Sequence, residues 1–285
     1  MQLKQKHWLV GNLLNAVILG ILLIFAIFCL APFVFLLTSS LRPGVEMVRQ
    51  GITLNLDWSS FNLNNYRMLW DGKDGIYLSW YFNSIAITAL YTMMSLLLTS
   101  MAGYAFAMYE FRFKKALFVI VLVVMMIPVE ILILPLYKMS ISLSLIDTYW
   151  GVVLPFVVAP VSIFFFRQYA QSLPKDLLDA GRIDGCSEFR IFFQIMVPLM
   201  KPAFGAMGIL QAMSSWNGFV WPLIVLRSND MLTLPIGLQS LMTPYGNNYD
   251  MLFPGAVMAV IPILILFVFN QKSFISGLTV GGVKG

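Results

Sequence analysis

The fold is decided by a long apolar stretch near the N-terminus, residues 8–41, which reads WLVGNLLNAVILGILLIFAIFCLAPFVFLLTSSL and contains no charged residue. A helix of about 20 apolar residues is long enough to cross a bilayer. Residues 16–30 are apolar on every side of a helix, whereas the strands of a membrane β-barrel alternate apolar and polar residues. The stretch is also longer than the apolar core of a signal peptide and has no small-residue cleavage site near its end. We therefore predict an uncleaved transmembrane helix.

The rest of the chain repeats this pattern. Charge-free stretches recur at residues 76–109, 148–166, 202–226 and 251–271. The whole sequence is 59% hydrophobic and 11% charged, against about a quarter charged in soluble domains, which excludes a soluble globule. We predict an all-α membrane protein, with residues 1–285 forming a single transmembrane domain. Its six helices are predicted at about residues 12–37, 79–103, 116–138, 149–169, 202–226 and 252–270, followed by a tail at 271–285.

The charged residues indicate how the chain is oriented. The net charge is +5, but the cations are scattered over the loops between helices, so a nucleic-acid partner is not expected. Of the 18 Lys and Arg residues, 12 fall on the side that holds both termini and 6 on the other. Cytoplasmic loops carry the excess of Lys and Arg. Both termini and the tail are therefore predicted to be cytoplasmic.

Residues 174–198 form the most informative cytoplasmic loop, because they are too polar to span the membrane and read as helix, turn, helix. Pro174 can begin the first helix, and Asp184–Gly185 is a turn-forming pair. Ser187 is a suitable N-cap for the second helix, which Pro198 is predicted to end. Apolar residues at helical spacing then predict one apolar face, made of Phe189, Phe192, Phe193, Met196 and Val197.

Two destinations are open to such a hairpin. An amphipathic hairpin can lie on lipid headgroups, but a helix that binds anionic lipid is usually mainly basic. Here five cations alternate with four acidic residues between Arg167 and Lys201. The balanced charge favours a protein partner.

The sequence of this hairpin also resembles a known family. Residues 173–186, LPKDLLDAGRIDGC, resemble the EAA loop of ABC importer permeases, whose consensus is Glu-Ala-Ala, three residues, then Gly. Asp179, Ala180 and Gly181 stand at the Glu-Ala-Ala positions, and Gly185 stands at the Gly position. The C-terminal sequence GLTVGGVKG, residues 277–285, is similar to that of the maltose-type second permease subunit of the carbohydrate-uptake branch. Shorter segments share the resemblance, at residues 83–84, 102–105, 127–128, 134–137, 216–217, 221–223 and 233–235.

The resemblance implies both a fold and a function. The fold would be that of a type I ABC importer permease, in a bacterial or archaeal cytoplasmic membrane. The chain would be the permease subunit of an ATP-driven, binding-protein-dependent importer of a sugar or oligosaccharide, and would form half of the translocation path. Its partners would be a second homologous permease, a cytoplasmic ATPase dimer and an extracytoplasmic sugar-binding protein. The chain would not itself be an enzyme, because ATP and Mg²⁺ would bind the ATPase, and the sequence has no Walker-type motif.

The same resemblance implies which residues contact the partners. The residues that contact the ATPase would be Asp179, Ala180, Gly181, Asp184, Gly185, Phe189 and Phe192 in the hairpin, with Gly277, Thr279 and Lys284 in the tail. Those for the binding protein would be Tyr245, Gly246, Asn247, Asn248 and Tyr249. From the residues alone, the two tyrosines could equally belong to the aromatic belt at the membrane surface.

Candidates for the translocation path are few. Glu130 is the only acidic residue within a predicted span, where it could relay protons or bond freed backbone groups near Pro128 and Pro135, and we favour the second role. Trp216, Asn217 and Trp221 could bind a sugar or pack against the second permease.

Two other functions compete with the permease. An ion-coupled secondary transporter would use Glu130 and broken helices but would leave the hairpin unexplained. An intramembrane enzyme is disfavoured, because the sequence has no paired carboxylates, HExxH or Cys-His constellation. A metal site is not expected either, since His7 is the one histidine.

Overall fold

The computed structural model describes most of the chain. Its described backbone covers residues 2–44, 61–71, 75–243 and 246–279, and its described side chains cover residues 14–44, 61–71, 75–242 and 248–272. The helices in these residues are α1 (Gln2–Ser40), α2 (Asn64–Asp71), α3 (Ile76–Met108), α4 (Lys114–Met125), α5 (Val129–Ser142), α6 (Tyr149–Val153), α7 (Pro160–Ala170), α8 (Asp176–Ile183), α9 (Glu188–Leu199), α10 (Lys201–Trp216), α11 (Val220–Val225), α12 (Leu234–Ser240) and α13 (Tyr249–Thr279). Two 3₁₀ turns cover Leu154–Phe156 and Asn229–Met231, and β1 (Met242–Thr243) pairs antiparallel with β2 (Gly246–Asn247).

The number of spans agrees with the prediction. Three helices are long and apolar enough to cross a membrane unaided, at Leu14–Ser40, Ile76–Met108 and Tyr249–Lys272. Three bent pairs bring the number to as many as six if each pair is one broken span: α4 with α5, α6 with α7, and α9 with α10. In the third pair we assign the crossing to the apolar α10, because α9 belongs to the polar hairpin. The predicted all-α membrane fold is confirmed.

Prolines break two of the predicted helices. The segment 116–138 is bent by 101° between α4 and α5, at Pro128. Proline has no N–H to donate and disfavours the helical conformation of the residue before it. The distortion expected there is confirmed, while Pro135 stays inside α5. The segment 149–169 is bent by 50° in the same way, before Pro160.

Three predicted boundaries are wrong. The segment 202–226 is not one helix, because α10 ends at Trp216 and α11 begins at Val220. Pro222 has no N–H to donate to the carbonyl of Gly218, which weakens a helix at this point and favours the break before α11. The last helix, predicted to end at residue 270, continues to Thr279, and the first begins at Gln2 rather than at residue 12.

The chain divides into two compact units. Unit 1 comprises residues 1–72 and 241–258. In it, α2 is held to the end of α1 by hydrogen bonds. The Asn65 amide donates to the carbonyl of Ser40 at 3.1 Å and to that of Arg42 at 2.7 Å, and the hydroxyls of Ser40 and Tyr66 lie 2.7 Å apart.

Unit 2 comprises residues 73–240 and 259–285 and contains the hairpin. Its centre is α3, which packs against α7 and α10. The backbones of α3 and α7 approach closely, since a Cβ on Gly103 would lie 2.6 Å from the Cβ of Phe166. One cluster of buried side chains joins α3, α7 and α10 to both helices of the hairpin, and includes Tyr104, Phe166, Leu178 and Ile191. The hairpin is therefore packed on the membrane helices by its own apolar residues.

Candidate coupling hairpin and transport path

The turn between α8 and α9 depends on Gly185. Asp184 caps α8, and Gly185 follows in the left-handed conformation with φ +74°. The Gly185 N–H donates to the Arg182 carbonyl at 3.0 Å, and the Cys186 N–H donates to the Gly181 carbonyl at 2.9 Å. These are the two bonds of a Schellman motif, in which glycine adopts positive φ without a Cβ penalty. The predicted turn at Asp184–Gly185 is confirmed.

The second helix of the hairpin begins as predicted but does not stay regular. Ser187 Oγ accepts a hydrogen bond from the Arg190 N–H at 3.3 Å and so caps α9. The middle of α9, Ile191–Met196, is a π-helical turn, whose wider spacing shifts the later residues around the helix axis. The helix runs through Pro198 to Leu199, so the stop predicted at Pro198 is wrong.

The π-helical turn changes which side chains are buried. Phe192 and Met196 are buried, whereas Phe189 and Phe193 are 66% and 48% exposed. The single apolar face predicted for α9 is therefore wrong. The Phe192 ring lies 5.2 Å from the ring of Tyr104, so Phe192 belongs to the buried cluster, and its contact with an ATPase stays a prediction.

Gly181 explains a departure from the EAA consensus. A Cβ at this position would lie 2.9 Å from Cγ1 of the fully buried Ile191. Real Cβ atoms essentially never show so short a contact. Glycine in place of alanine thus lets α8 lie directly on the π-helical turn of α9.

The outer surface of the hairpin is apolar and acidic. Ile183 is 86% exposed, Phe189 is 66% exposed, and the Asp179 side chain is 66% exposed. Asp179 lies 3.5 Å from the guanidinium of Arg182. Among the predicted coupling residues the exposed ones are Asp179, Ala180, Asp184, Gly185 and Phe189, and the buried ones are Gly181 and Phe192.

Glu188 fastens the hairpin to the end of α3, and we call its two side-chain contacts the Glu188 clamp. Oε1 accepts from Arg182 Nε at 2.8 Å, and Oε2 accepts from the Tyr109 hydroxyl at 2.6 Å. The hydrogen bond from Arg182, followed by that from Tyr109, lowers the pKa of Glu188. Burial, followed by the bond to Glu188, raises the pKa of Tyr109, so its hydroxyl remains a donor. The sequence does not reveal this clamp, because 79 residues separate Tyr109 from Glu188.

The predicted tail contacts lie at the edge of the described residues. Gly277 and Thr279 are in the last turns of α13, where the sequence predicted a flexible tail. Lys284 lies outside the described residues. The assignment of these residues to the ATPase stays a prediction.

The predicted binding-protein loop is partly described. Gly246–Asn247 forms β2, and Tyr245 lies outside the described residues. Asn248 Oδ1 accepts a backbone hydrogen bond at 3.2 Å from the first turn of α13. The Tyr249 ring stacks on Phe253 with 5.4 Å between centroids. Asn248 and Tyr249 thus have a role in starting α13, and their contact with a binding protein stays a prediction.

The two tryptophans predicted to line the translocation path use their indole N–H groups in hydrogen bonds within this chain. The Trp216 indole donates to the Ala259 carbonyl at 3.1 Å, and the Trp221 indole donates to the Gly151 carbonyl at 3.0 Å. Both side chains are buried. The indole N–H groups are therefore not free to bind a sugar.

The other two path candidates are exposed. Asn217 caps the end of α10 and donates to the Met213 carbonyl at 2.8 Å. Glu130 lies in the first turn of α5, where the helix dipole favours an acidic side chain. That position accounts for Glu130 without a proton relay.

A cleft opens beside the break between α10 and α11. Its volume is about 130 Å³, and its lining includes Tyr91, Ser214, Ser215, Gly218 and Trp221. Non-helical backbone at membrane depth is tolerated where it is buried in protein or lines a polar cavity. The cleft is lined mainly by apolar side chains, and Tyr91, Ser214 and Ser215 are the residues with hydroxyl groups among those that line it.

A buried polar chain fixes the position of this cleft. The Tyr91 hydroxyl donates to Gln211 Oε1 at 2.8 Å, and Gln211 Nε2 donates to Ser162 Oγ. The chain links α3, α10 and α7, and each of its side chains is buried. Such a fully bonded network holds helices in one arrangement, since each partner would be costly to leave unpaired.

Residues 95–272, more than half of the chain, match the family model described as the binding-protein-dependent transport system inner membrane component. The chain belongs to this family. It is thus a multi-pass inner-membrane permease component of an ABC importer, a family whose members are not themselves enzymes.

Curated relatives of this permease extend over nearly its whole length. It is 55% identical to the arabinooligosaccharides transport system permease protein AraQ of Bacillus subtilis over 267 residues, which are 94% of this chain and 92% of the relative. It is 52% identical to the protein of the same name from Halalkalibacterium halodurans, over 89% of this chain and 91% of the relative. A solved structure described as a bacterial ABC transporter involved in the import of the acidic polysaccharide alginate has a TM-score of 0.78 at 24% identity, covering 93% and 96% of the two chains. That likeness shows that the fold is the ABC importer permease fold.

Asn83 and Ser84, one of the short segments that carry the family resemblance, have a structural role in this permease. Asn83 donates to the carbonyls of Asp230 and Leu232 at 2.7 and 3.0 Å and accepts from the Tyr149 hydroxyl at 2.5 Å. Ser84 Oγ accepts from the Leu234 N–H at 2.7 Å. The Asn83–Ser84 pair seen in the sequence thus holds the segment between α11 and α12 against α3.

Proposed function

We propose that this permease carries oligosaccharides across the membrane, with arabinose-containing oligosaccharides as the first candidates. Two relatives above 50% identity are named for arabinooligosaccharide transport, and each is covered over about nine-tenths of its length. A family member of this kind would work beside a second permease and receive its substrate from an extracytoplasmic binding protein.

A separate ATPase dimer would supply the energy for transport. The single observation that carries this proposal is the exposed surface of the hairpin at Ile183 and Phe189, held on a rigid turn and fastened by the Glu188 clamp. Exposed apolar surface of this kind is typical of sites that contact another protein or a membrane, and the balanced charge of the hairpin favours a protein. ATP and Mg²⁺ would bind that ATPase, and closure of its dimer would move the hairpin together with α3, α7 and α10.

The proposed sugar path follows the break between α10 and α11. Ser214 on α10 and Asn217 at its C-cap are exposed polar residues three positions apart, and the cleft is lined by Ser214 and Tyr91. Hydroxyl and amide groups beside an aromatic ring can bind and orient a sugar. Trp216 and Trp221 hold the walls of the path, and Glu130 is not part of it.

The proposed orientation places both termini in the cytoplasm. The hairpin then faces the ATPase, and the loop containing β1 and β2 faces the binding protein. The support is the excess of Lys and Arg on the side of the termini, 12 against 6.

Transport by the purified complex tests the proposal. The permease would be co-expressed with its neighbouring transporter genes, reconstituted in liposomes and supplied with the binding protein and radiolabelled arabinotriose. We expect uptake that needs ATP and binding protein and that persists when ion gradients are collapsed with ionophores. Uptake by the permease alone, driven by a proton or sodium gradient, would instead establish a secondary transporter.

A further inference from the structure

A basic cleft lies where α3 ends and α4 begins. Its volume is about 780 Å³. Its lining includes Glu110, Phe111 and Phe113 from the connecting segment, Lys114 and Lys115 from α4, and Arg167 from α7. Three cations and one carboxylate therefore face the same space.

The carboxylate neutralises one of the three cations. Lys114 Nζ lies 2.9 Å from Glu110 Oε1 and also donates to the Tyr109 carbonyl at 2.8 Å. The hydrogen bond and charge of Lys114 lower the pKa of Glu110, so the pair stays ionised. No ion pair in the described part of the chain includes Lys115 or Arg167. The cleft thus keeps two positive charges in excess.

Arg167 has a donor that the protein leaves unused. Its guanidinium carbon lies 3.9 Å from the centre of the Phe118 ring, and its Nε is buried without a hydrogen-bond partner. A buried donor without an acceptor is costly, and most such groups in proteins are paired. Arg167 also lines the cleft, so its guanidinium charge is available to an anion that binds there.

The cleft is continuous with an uncovered apolar helix. None of the residues of α4 is buried. Leu117, Val119 and Ile120 are 44%, 54% and 56% exposed, and they begin two residues after Lys115. A ligand that fits this surface has a negative headgroup and long apolar chains.

We propose that this cleft binds the phosphate of an anionic phospholipid, whose acyl chains lie along the exposed face of α4. Basic pockets between transmembrane helices bind such headgroups, and the uncapped first turn of α4, which has no acidic residue, adds partial positive charge. The site differs from the hairpin, where cations and acids balance. It also goes beyond the proposed function, because it does not depend on which substrate is carried.

Lipid retention by the full-length protein tests this site. The permease would be reconstituted in nanodiscs of equal phosphatidylglycerol and phosphatidylcholine, transferred to detergent, and its retained lipids counted by native mass spectrometry. We expect phosphatidylglycerol to be enriched on the wild type. In the double variant Lys115→Gln with Arg167→Gln, we expect the affinity for phosphatidylglycerol to fall about fivefold for each cation removed.

The matched control is the double variant Arg190→Gln with Lys201→Gln, which removes the same charge from exposed positions outside the cleft. Equal loss in both double variants would overturn the proposal, since it would report general surface charge. If Arg167→Gln prevents folding, the single variant Lys115→Gln at an exposed position is measured instead. Unchanged retention of phosphatidylglycerol in that variant would contradict the proposed site.

Two further arms identify the ligand and its place in the complex. Inorganic phosphate at 10 mM should not displace the lipid, because the acyl chains contribute to binding. Displacement by phosphate would show a site for free anions and refute the lipid assignment. Enrichment should also persist when the second permease is present, and its disappearance there would show that a protein surface, not lipid, covers the cleft.

Discussion

Substitutions at Gly185 can distinguish an effect on the backbone conformation of the hairpin from the loss of a side-chain contact. A Cβ built at this position has no atom within 4 Å, so a side chain there meets open space. The cost of a substitution therefore comes from φ +74° alone. Left-handed backbone costs an ordinary L-residue about 1–2 kcal/mol, Asn less, and a β-branched residue the most. Gly185→Val should destabilise the native turn by about 2 kcal/mol. The equilibrium between the native turn and a turn without positive φ would then shift about 30-fold toward the second.

That strain can be relieved by giving up the Schellman bonds at 2.9 and 3.0 Å, which would change the angle between α8 and α9. We expect Gly185→Asn to behave like the wild type, Gly185→Ala to show a mild defect, and Gly185→Val to assemble but lose coupling. Uptake and substrate-stimulated ATP hydrolysis would be measured together in proteoliposomes. Wild-type coupling in a normally assembled Gly185→Val complex would refute the reasoning. Equal damage from all three substitutions would also refute it, because that pattern indicates a lost contact instead.

The remaining predictions concern the Glu188 clamp, the α3 anchor and the orientation. Tyr109→Phe, which keeps the ring and removes the hydroxyl, should raise the ATP hydrolysed per sugar imported without lowering complex assembly. The lowered pKa of Glu188 means that the clamp is intact at neutral pH and weakens only as pH falls below the usual range of a carboxylate, so the defect of Tyr109→Phe should be present at pH 7 and should shrink in acid. Asn83→Ala leaves three partners unpaired and should lower the free energy of unfolding by about 3 kcal/mol, measured by thermal denaturation in detergent. In a background without native cysteines, Gly246→Cys should react with an impermeant maleimide in intact cells and Ser187→Cys should not.

Local features of the hairpin were predictable because they depend on neighbouring residues. The Gly185 turn and the Ser187 cap each use groups at most five positions apart in sequence. The membrane class and the number of spans followed from composition, and the break at Pro128 followed from the chemistry of proline.

Other features depend on packing that sequence does not display. The π-helical turn at Ile191–Met196 forms where α9 packs on α8, and it changes which phenylalanines are buried. The indoles of Trp216 and Trp221 look available in sequence, yet backbone carbonyls 43 and 70 residues away occupy them. The Glu188 clamp has the same character, since its partner Tyr109 lies at the end of another helix.

Crosslinking from the hairpin tests whether an ATPase subunit sits on it, as we propose. Ile183→Cys, at a side chain that is 86% exposed, would be introduced in a background without the native Cys29 and Cys186, labelled with a benzophenone maleimide in the assembled complex and irradiated. Phe28→Cys, at a position 77% exposed on α1, is the matched control. We expect an adduct between the permease and the ATPase from position 183 and none from position 28. An intact complex that gives no ATPase adduct from position 183, or equal adducts from both positions, would contradict it.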